Sequence, residues 1–328
     1  MAYHIGRRVS IGIAKETTRA TYALPSYFLP KMDYSVEDRI NFVVDDSSVA
    51  VIQDAQGQDI TTRYSEGNIS GRLSSTTFGL WLLATLGTES ATTLVQTGVY
   101  DHVFIVNQSA SHQSLSISLT GPNESTGISY ALCMVEQMDI EMEVNKYSTY
   151  KVSWRGNTKG TSASTASFLT TENAFLPQHA VIKLATNLAG LTASSAIVVN
   201  KAMISIKKNL EDDFVLGSLS ASDRNNKQFV VEGSFELVYN DRSYIDTILL
   251  GDLQRALRFS AINTDVTIGA SSNPTLTIDL AKVKLQEVSR SNGNDDIIKQ
   301  TVKFKAYYSL ADAIMISATL RNTVTTAY

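Results

Sequence analysis

The sequence predicts a mainly β fold built from two tandem copies of one strand-rich domain, each with a single flanking α-helix. Three observations predict it. Apolar and polar residues alternate along most apolar segments, each half holds one helix-like segment, and similar segments recur in the same order in both halves. The chain has 328 residues, 43% hydrophobic and 18% charged. This composition suits two folded domains and excludes a chain that is disordered throughout.

Alternation with a period of two identifies the strands. It is clearest in four segments, at 139–144, 202–206, 229–237 and 276–288. Such a pattern is typical of antiparallel strands with one face on a core and the other in water. The dipeptide Asn292-Gly293, which follows the last of these segments, predicts a tight hairpin turn.

Each half contains one segment with helical character. In the first half, 76–86 is almost uniformly apolar. In the second half, apolar residues recur every three or four positions between 243 and 258, at Ile245, Ile248, Leu249, Leu253 and Leu257. Because an apolar stripe must be buried against something, we expect each helix to pack on the sheet of its own domain.

A repeat relates the two halves. Glu66-Gly67 and Glu232-Gly233 lie 166 residues apart, and each precedes the helical segment of its half. Three further pairs of segments keep the same order at offsets between 152 and 171, namely 32–37 with 203–208, 115–119 with 276–280, and 149–154 with 301–306. We therefore expect a first domain at 1–160 and a second at 175–328, with 156–175, which is rich in small polar residues, as the linker region.

Residue types that catalyse reactions or bind metals are sparse and scattered. The histidines form no HxH or HExxH pattern; they are His4, His102, His112 and His179. His102 and His112 flank a predicted strand at 103–106, where a structural role is the simpler interpretation. Adjacent carboxylates are typical of solvated loops, and they occur at 45–46, 211–213 and 295–296.

Cys133, the one cysteine, lies among apolar residues, which predicts a buried and unreactive side chain. A single cysteine excludes a disulfide within the chain and a cysteine-rich zinc site. The sequence contains no phosphate-binding loop, dinucleotide-binding motif or nucleophile elbow. We therefore expect no enzyme activity, no metal and no cofactor.

The charge balance disfavours a conventional nucleic-acid-binding protein. The formal net charge is −4; residues 1–165 carry 12 basic and 16 acidic residues, and residues 166–328 carry 16 of each. Neither half would attract phosphate over a distance. No apolar run approaches the roughly 18 residues of a membrane helix. The first residues lack the apolar run of a secretory signal, so we expect no membrane anchor and synthesis in a reducing compartment.

Seven segments, spread in order along the chain, carry a family resemblance: 6–19, 46–54, 66–67, 175–179, 187–191, 263–269 and 273–282. With them, the sequence resembles the tail tube (major tail) proteins of bacteriophages with long, non-contractile tails. The resemblance implies a β-sandwich or split-barrel domain with a flanking helix, whose strands join those of neighbouring subunits in a continuous inner β-barrel.

The same resemblance implies a structural virion protein, made and assembled in the cytoplasm of the bacterial host. Its rings would stack into a hollow tube around a tape-measure protein, next to tail terminator and tail-tip proteins, and DNA would pass through without sequence-specific binding. Three duplicated chains would supply six tube domains, giving a trimeric ring with pseudo-sixfold symmetry; a hexameric ring is the alternative.

Two segments between predicted strands, 41–64 and 211–228, are longer than ordinary hairpin loops and are the expected contacts between rings or subunits. The candidate contact residues are Val49, Val51, Ile52, Asp54, Asp212, Phe214 and Leu216. The apolar residues at 49–52 must either meet a partner or fold back on their own domain, and we predict a partner. The alternative function is a two-domain β-sandwich binding module, similar to an adhesin of a phage or bacterial surface.

Overall fold

The structure is a computed structural model that describes residues 5–122, 126–291 and 293–328. The described chain is mainly β. Its helical elements are α1 Phe78–Leu86, the π-helix Tyr244–Leu249, and the 3-10 turns Gly6–Arg8, Pro177–His179 and Ala189–Leu191. The strands are β1 Ser10–Lys15, β2 Tyr27–Phe28, β3 Lys31–Asp45, β4 Gly57–Arg72, β5 Gly87–Gln96, β6 Val99–Val106, β7 Leu115–Thr120, β8 Gly127–Glu143, β9 Thr149–Gly156, β10 Gly160–Ser162, β11 Ala180–Ala185, β12 Ala196–Ile197, β13 Lys201–Lys207, β14 Leu210–Asp213, β15 Asp223–Asn226, β16 Val230–Val238, β17 Arg255–Ile262, β18 Thr275–Arg290, β19 Lys299–Tyr307 and β20 Ile316–Asn322.

The strands of each half pair in the same order. In the first half the order is β3, β4, β9, β8, β7, β1 and β2. In the second half it is β13, β16, β19, β18, β17, β11 and β12. All of these pairings are antiparallel, as the period-two pattern predicts.

Two hairpins depart from the common order. β5 and β6 form a hairpin in the first half, and β6 also pairs with β20 of the second half. β14 and β15 form a separate two-stranded sheet in the second half. The two halves therefore share a framework of strands but carry different additions.

The alternating apolar residues face one contiguous core that runs through both halves. Its largest fully buried side chains include Trp81 and Phe78 from α1, Trp154 from β9, and Phe235 and Phe304 from β16 and β19. Burial of such side chains stabilises the fold by about 1.5–3 kcal/mol each. The core is thus built from the sheet faces together with α1.

The first predicted helix is confirmed at 78–86, and every residue of α1 is buried. Its uniformly apolar sequence fits this position, because no side of the helix meets water. The helix ends at Gly87, whose φ of 95° is left-handed and whose N–H donates to the Leu83 carbonyl.

The second predicted helix is wrong beyond its first turns. The π-helix ends at Leu249, Asp252 takes a left-handed φ of 49°, and β17 begins at Arg255. Leu257 was expected to continue the helical stripe. It is buried instead in a strand that pairs with β11 on one side and β18 on the other, and these ladders satisfy the backbone groups of the strand.

The four alternating segments are confirmed as parts of β8, β13, β16 and β18. Asn292, the predicted turn residue, lies outside the described residues. The expected long loops are wrong in form: most of 41–64 belongs to the β3–β4 hairpin, and 211–228 contains the β14–β15 hairpin. No helix in the described part of the chain is long and apolar enough to span a membrane.

Candidate assembly surfaces

An internal joint connects the two halves through β8 and β13. The two strands pair antiparallel over seven residue pairs, from Lys201 opposite Glu143 to Lys207 opposite Gln137. On the core face, Ile140 lies opposite Ile204, and both are buried. The joint therefore has the hydrogen-bonded ladder and apolar face of an ordinary strand pair within a sheet.

The β14–β15 hairpin reinforces this joint through hydrogen bonds to the first half. The fully buried guanidinium of Arg224 donates to the Gly156 carbonyl at 2.9 Å and to Asn157 Oδ1 at 2.8 Å. From the first half, Arg19 donates to Asp223 at 2.6 Å and to the Arg224 carbonyl at 2.8 Å. The hairpin is thus held by groups of the first half at two adjacent residues of β15, Asp223 and Arg224.

Asp212 supplies the negative charge that Arg224 needs in this buried position. Arg224 Nε lies 2.9 Å from Asp212 Oδ1, although the two are not aligned as a hydrogen bond, so their attraction is mainly Coulombic. Arg155 Nη1 lies 3.2 Å from the other carboxylate oxygen. Burial lowers the pKa of Arg224, and the Asp212 charge opposes that shift.

Lys208, directly after β13, is a second buried cation at the joint. Its ammonium donates to the Ala84 carbonyl at 2.7 Å, in the last turn of α1, and its side chain is fully buried. Burial and the nearby Arg19 charge lower the pKa of Lys208 well below its usual range. The C-terminal end of a helix carries the partial negative charge that favours a cation there.

The two halves also share the details of their pairing. In each half a glycine on a central strand lies between an aliphatic residue on one neighbouring strand and an aromatic residue on the other. In the first half Gly67 of β4 lies between Val36 and Trp154. In the second half Gly233 of β16 lies between Ile204 and Phe304. A Cβ on either glycine would come closer than 3.0 Å to a neighbouring carbonyl oxygen and to the ring. The same close approach is therefore built twice.

Irregularities of the ladders coincide as well. The register of β8 against β9 shifts between Val135 and Gln137, and that of β18 against β19 shifts between Leu285 and Glu287. Val135 and Leu285 face the equivalent aromatic residues Trp154 and Phe304. By these pairings β3 corresponds to β13 at an offset of 168 and β9 to β19 at 150, where the sequence predicted 171 and 152. The predicted match of 115–119 with 276–280 is wrong, because 115–119 lies in β7, which corresponds to β17, and 276–280 lies in β18, which corresponds to β8.

Two strand edges remain open at the places that correspond to the joint. Residues 31–39 of β3 pair only with β4, and residues 284–290 of β18 pair only with β19, within the part of the chain that the structure describes. β3 corresponds to β13, and residues 287–290 of β18 correspond to residues 137–140 of β8, which meet β13. Open edges of this length are templates for pairing with another chain.

Beyond the sheet, β3 and β4 continue as a projecting hairpin. β4 pairs with β9 only from Ser65 onward, so the residues before it pair with β3 alone. At the tip, Val49 and Val51 are more than half exposed and Ile52 and Asp54 are exposed. The apolar tip residues therefore do not fold back on their own domain.

The three remaining predicted contact residues lie in two different environments. Asp212 was expected to be a solvated loop carboxylate, but its side chain is only 10% exposed and is paired within the chain. Leu216 is fully exposed and Phe214 partly exposed in the turn between β14 and β15. That turn contacts the projecting hairpin, because the Leu219 carbonyl accepts the Arg63 N–H at 2.7 Å.

The described histidines have structural partners. His102 was expected beside a strand but lies buried within β6, where Nδ1 is 2.7 Å from Glu89 Oε1. His112 is buried near the Asn107 carbonyl, and burial lowers its pKa to about 4. His179 Nε2 lies 3.0 Å from Asp265 Oδ2. His4 lies outside the described residues.

Cys133 is buried as predicted, and burial raises the pKa of its thiol. Among the described residues no group of three or more His, Cys, Asp and Glu side chains is arranged to hold a metal ion. The arrangement that stands out in this molecule is a set of strand edges and projecting apolar residues.

Sequence reasoning missed the buried cations of the joint. Lys208 had a detectable signal, because it continues the buried phase of Ala202, Ile204 and Ile206 in β13 and so places a charge where an apolar residue is expected. Arg224 had none, since it lies in a short polar strand whose burial depends on the other half of the chain.

A family model described as phage tail tube protein matches residues 6–306 of the chain. No curated protein matches it.

Proposed function

Because the chain belongs to the phage tail tube protein family, a family of structural virion proteins, we propose that it is the ring-forming subunit of a tail tube. Its copies join edge to edge into rings, and the rings stack into a hollow conduit for DNA. The observation that carries this proposal is the pair of open edges on β3 and β18, which repeat the two partners of the internal joint.

The chain comprises two tube domains, at 1–160 and 175–328, with 156–175 as the connecting region. The shared strand order and the coincident register shifts support this division. β10, at 160–162, pairs with the start of β8 as β20 pairs with the start of β18. The connecting region is therefore anchored to the first domain at its beginning.

With six tube domains per ring, as the family resemblance implies, this division gives a ring of three chains. Within one chain, β8 of the first domain pairs with β13 of the second; between chains, β18 of the second domain pairs with β3 of the next first domain. Repeating the step closes a cyclic sheet and leaves no free edge at these places. Three chains supply six domains with pseudo-sixfold symmetry, and the β5–β6 hairpin keeps the true symmetry threefold.

The solvent face of the sheet suits a passage for DNA. Five lysines on this face each lie within 4 Å of a carboxylate on the same or a neighbouring strand: Lys201, Lys207, Lys299, Lys303 and Lys305. A phosphate backbone would find these cations already paired with acidic groups, so attraction along the path is weak. We assign this face to the lumen, where the tape-measure protein would lie before DNA passes.

The projecting β3–β4 hairpin is the contact between rings. Its tip presents Val49, Val51, Ile52 and Asp54 to solvent, and an apolar tip at the end of a two-stranded arm needs a partner surface. Phe214 and Leu216 lie in the turn that contacts the same hairpin and extend this surface. At the two ends of the tube, the tail terminator and tail-tip proteins would take the place of the missing ring.

Assembly of the purified protein tests the proposal. Electron microscopy of concentrated protein should show rings or tubes, and native mass spectrometry of a single ring should give three chains. Rings of six chains would refute the trimeric ring but not the proposal that the protein forms a tube. A protein that stays monomeric at every concentration would refute the tube and favour the two-domain binding module.

A further inference from the structure

We infer that neighbouring copies of this chain pair β3 with residues 287–291 in one register, Arg39 opposite Glu287, and that Ile40 packs beside this ladder on Leu250 of the neighbour. The partner is a second copy of the same chain. The inference rests on the proposed ring and specifies which residues meet at its subunit interface.

The register follows from the internal joint. There, Lys207 of β13 lies opposite Gln137 of β8. Lys207 corresponds to Arg39 at the offset of 168, which is set by the residues opposite Gly67 and Gly233, Val36 and Ile204. Gln137 corresponds to Glu287, because each directly follows the register shift of its strand. Carrying the joint over to the open edges therefore places Arg39 opposite Glu287.

The charges on the two edges favour this register. On one face of the ladder Arg39 lies directly opposite Glu287. On the other face Arg290 lies diagonal to Asp38. Opposite charges at such positions attract. A slip of two residues would place Glu287 opposite Glu37 and bring two carboxylates together. In the single chain Arg39 is paired with Glu37 and Glu66, and Glu287 is paired with Lys303. Both side chains are nevertheless about half exposed, so each can also reach a group on a neighbouring chain.

Beside the ladder, an apolar contact replaces the buried cation of the internal joint. Ile40 corresponds to Lys208, which meets the last turn of α1 at Ala84. The equivalent helix of the second domain ends at Leu249, and Leu250 follows it directly. Ile40 is 53% exposed and Leu250 72% exposed in the single chain. Pairing the edges would remove both side chains from water.

Disulfide trapping tests the register. In the variant Arg39→Cys/Glu287→Cys, mild oxidation of assembled protein should link chains covalently up to three per ring. The control Ser35→Cys/Glu287→Cys moves one thiol four residues along β3, about 13 Å away, which is too far for a disulfide. Cys133 is buried and stays unreactive in both variants.

Rings that form but do not cross-link at Arg39 and Glu287, or that cross-link equally in the control, overturn the register while the tube proposal stands. Chains that never associate overturn both. For the apolar contact, Ile40→Asp should raise the concentration needed for assembly about tenfold, and adding Leu250→Lys should restore much of it. Unchanged assembly of Ile40→Asp, or no restoration by Leu250→Lys, would overturn that contact.

Discussion

Replacing Asp212 by Asn should weaken the contact of the β14–β15 hairpin with the first half and lower the free energy of unfolding by about 3 kcal/mol. The variant keeps the shape of the side chain but removes the negative charge 2.9 Å from Arg224, whose guanidinium is fully buried. Breaking a buried ion pair costs about 3–5 kcal/mol, because the remaining charge has no counter-ion. The lower value applies because Arg224 keeps its bonds to Gly156 and Asn157.

Urea unfolding measures this loss. With a denaturant slope of about 3 kcal/mol per molar, the midpoint should fall by about 1 M. Glu211→Gln is the matched control, because the Glu211–Lys227 pair is exposed on both sides and such pairs contribute about 0–1 kcal/mol. Hydrogen exchange should show faster opening of β14–β15 in the Asp212 variant alone.

The double variant Asp212→Asn/Arg224→Met distinguishes the cost of an unpaired buried charge from other effects of changing these side chains. Removing the unpaired charge should recover part of the stability lost in the single variant, since an apolar side chain of similar length tolerates burial. The buried-charge argument is refuted if Asp212→Asn lowers the free energy of unfolding no more than Glu211→Gln does. It is also refuted if the double variant loses more stability than the single variants Asp212→Asn and Arg224→Met lose together.

Three further outcomes are expected. Val51→Asp should leave the folded monomer unchanged by circular dichroism but weaken tube formation seen by electron microscopy; an unfolded variant would mean that Val51 is part of a core. Gly233→Ala should cost about 1–3 kcal/mol in urea unfolding, because its Cβ would lie 2.3 Å from a carbonyl oxygen, whereas Gly57→Ala, with open space around it, should be neutral or slightly stabilising. His112, with a folded pKa of about 4, stays neutral in the fold and is protonated more readily in the unfolded chain, so wild-type stability should fall between pH 6.5 and pH 4. His112→Gln should lose roughly 2–3 kcal/mol less over that interval, and equal losses in the two proteins would contradict the assignment.

The sequence predicted the strands well where one face is buried and the other is wet. β13 and β18 follow the alternation closely, because a period of two is a property of the strand itself. The apolar stripe that ends at Leu257 misled the helix prediction, since three- and four-residue spacing over a short stretch fits a helix followed by a strand equally well. Only pairing with β11 and β18 decided between them.

The exposure of the candidate contact residues was predicted in part. The exposed tip at Val49, Val51 and Ile52 was identifiable because three apolar residues stand among polar ones. Asp212 resembled a solvated carboxylate, because nothing local reveals that Arg224 and Arg155 from distant parts of the chain surround it. The burial of a charge depends on tertiary neighbours, which a local pattern does not record.

By itself, the sequence determined that this protein is a mainly β chain with a repeated order of segments and with residues that resemble phage tail tube proteins. Periodicity and segment order are local properties and survive in a single sequence. The tertiary structure decided which edges are joined and which stay open. Whether β13 is covered depends on β8, whose paired residues lie 58 to 70 residues earlier in the chain. Hydrogen bonding between strands so far apart in the sequence is fixed only when the chain folds.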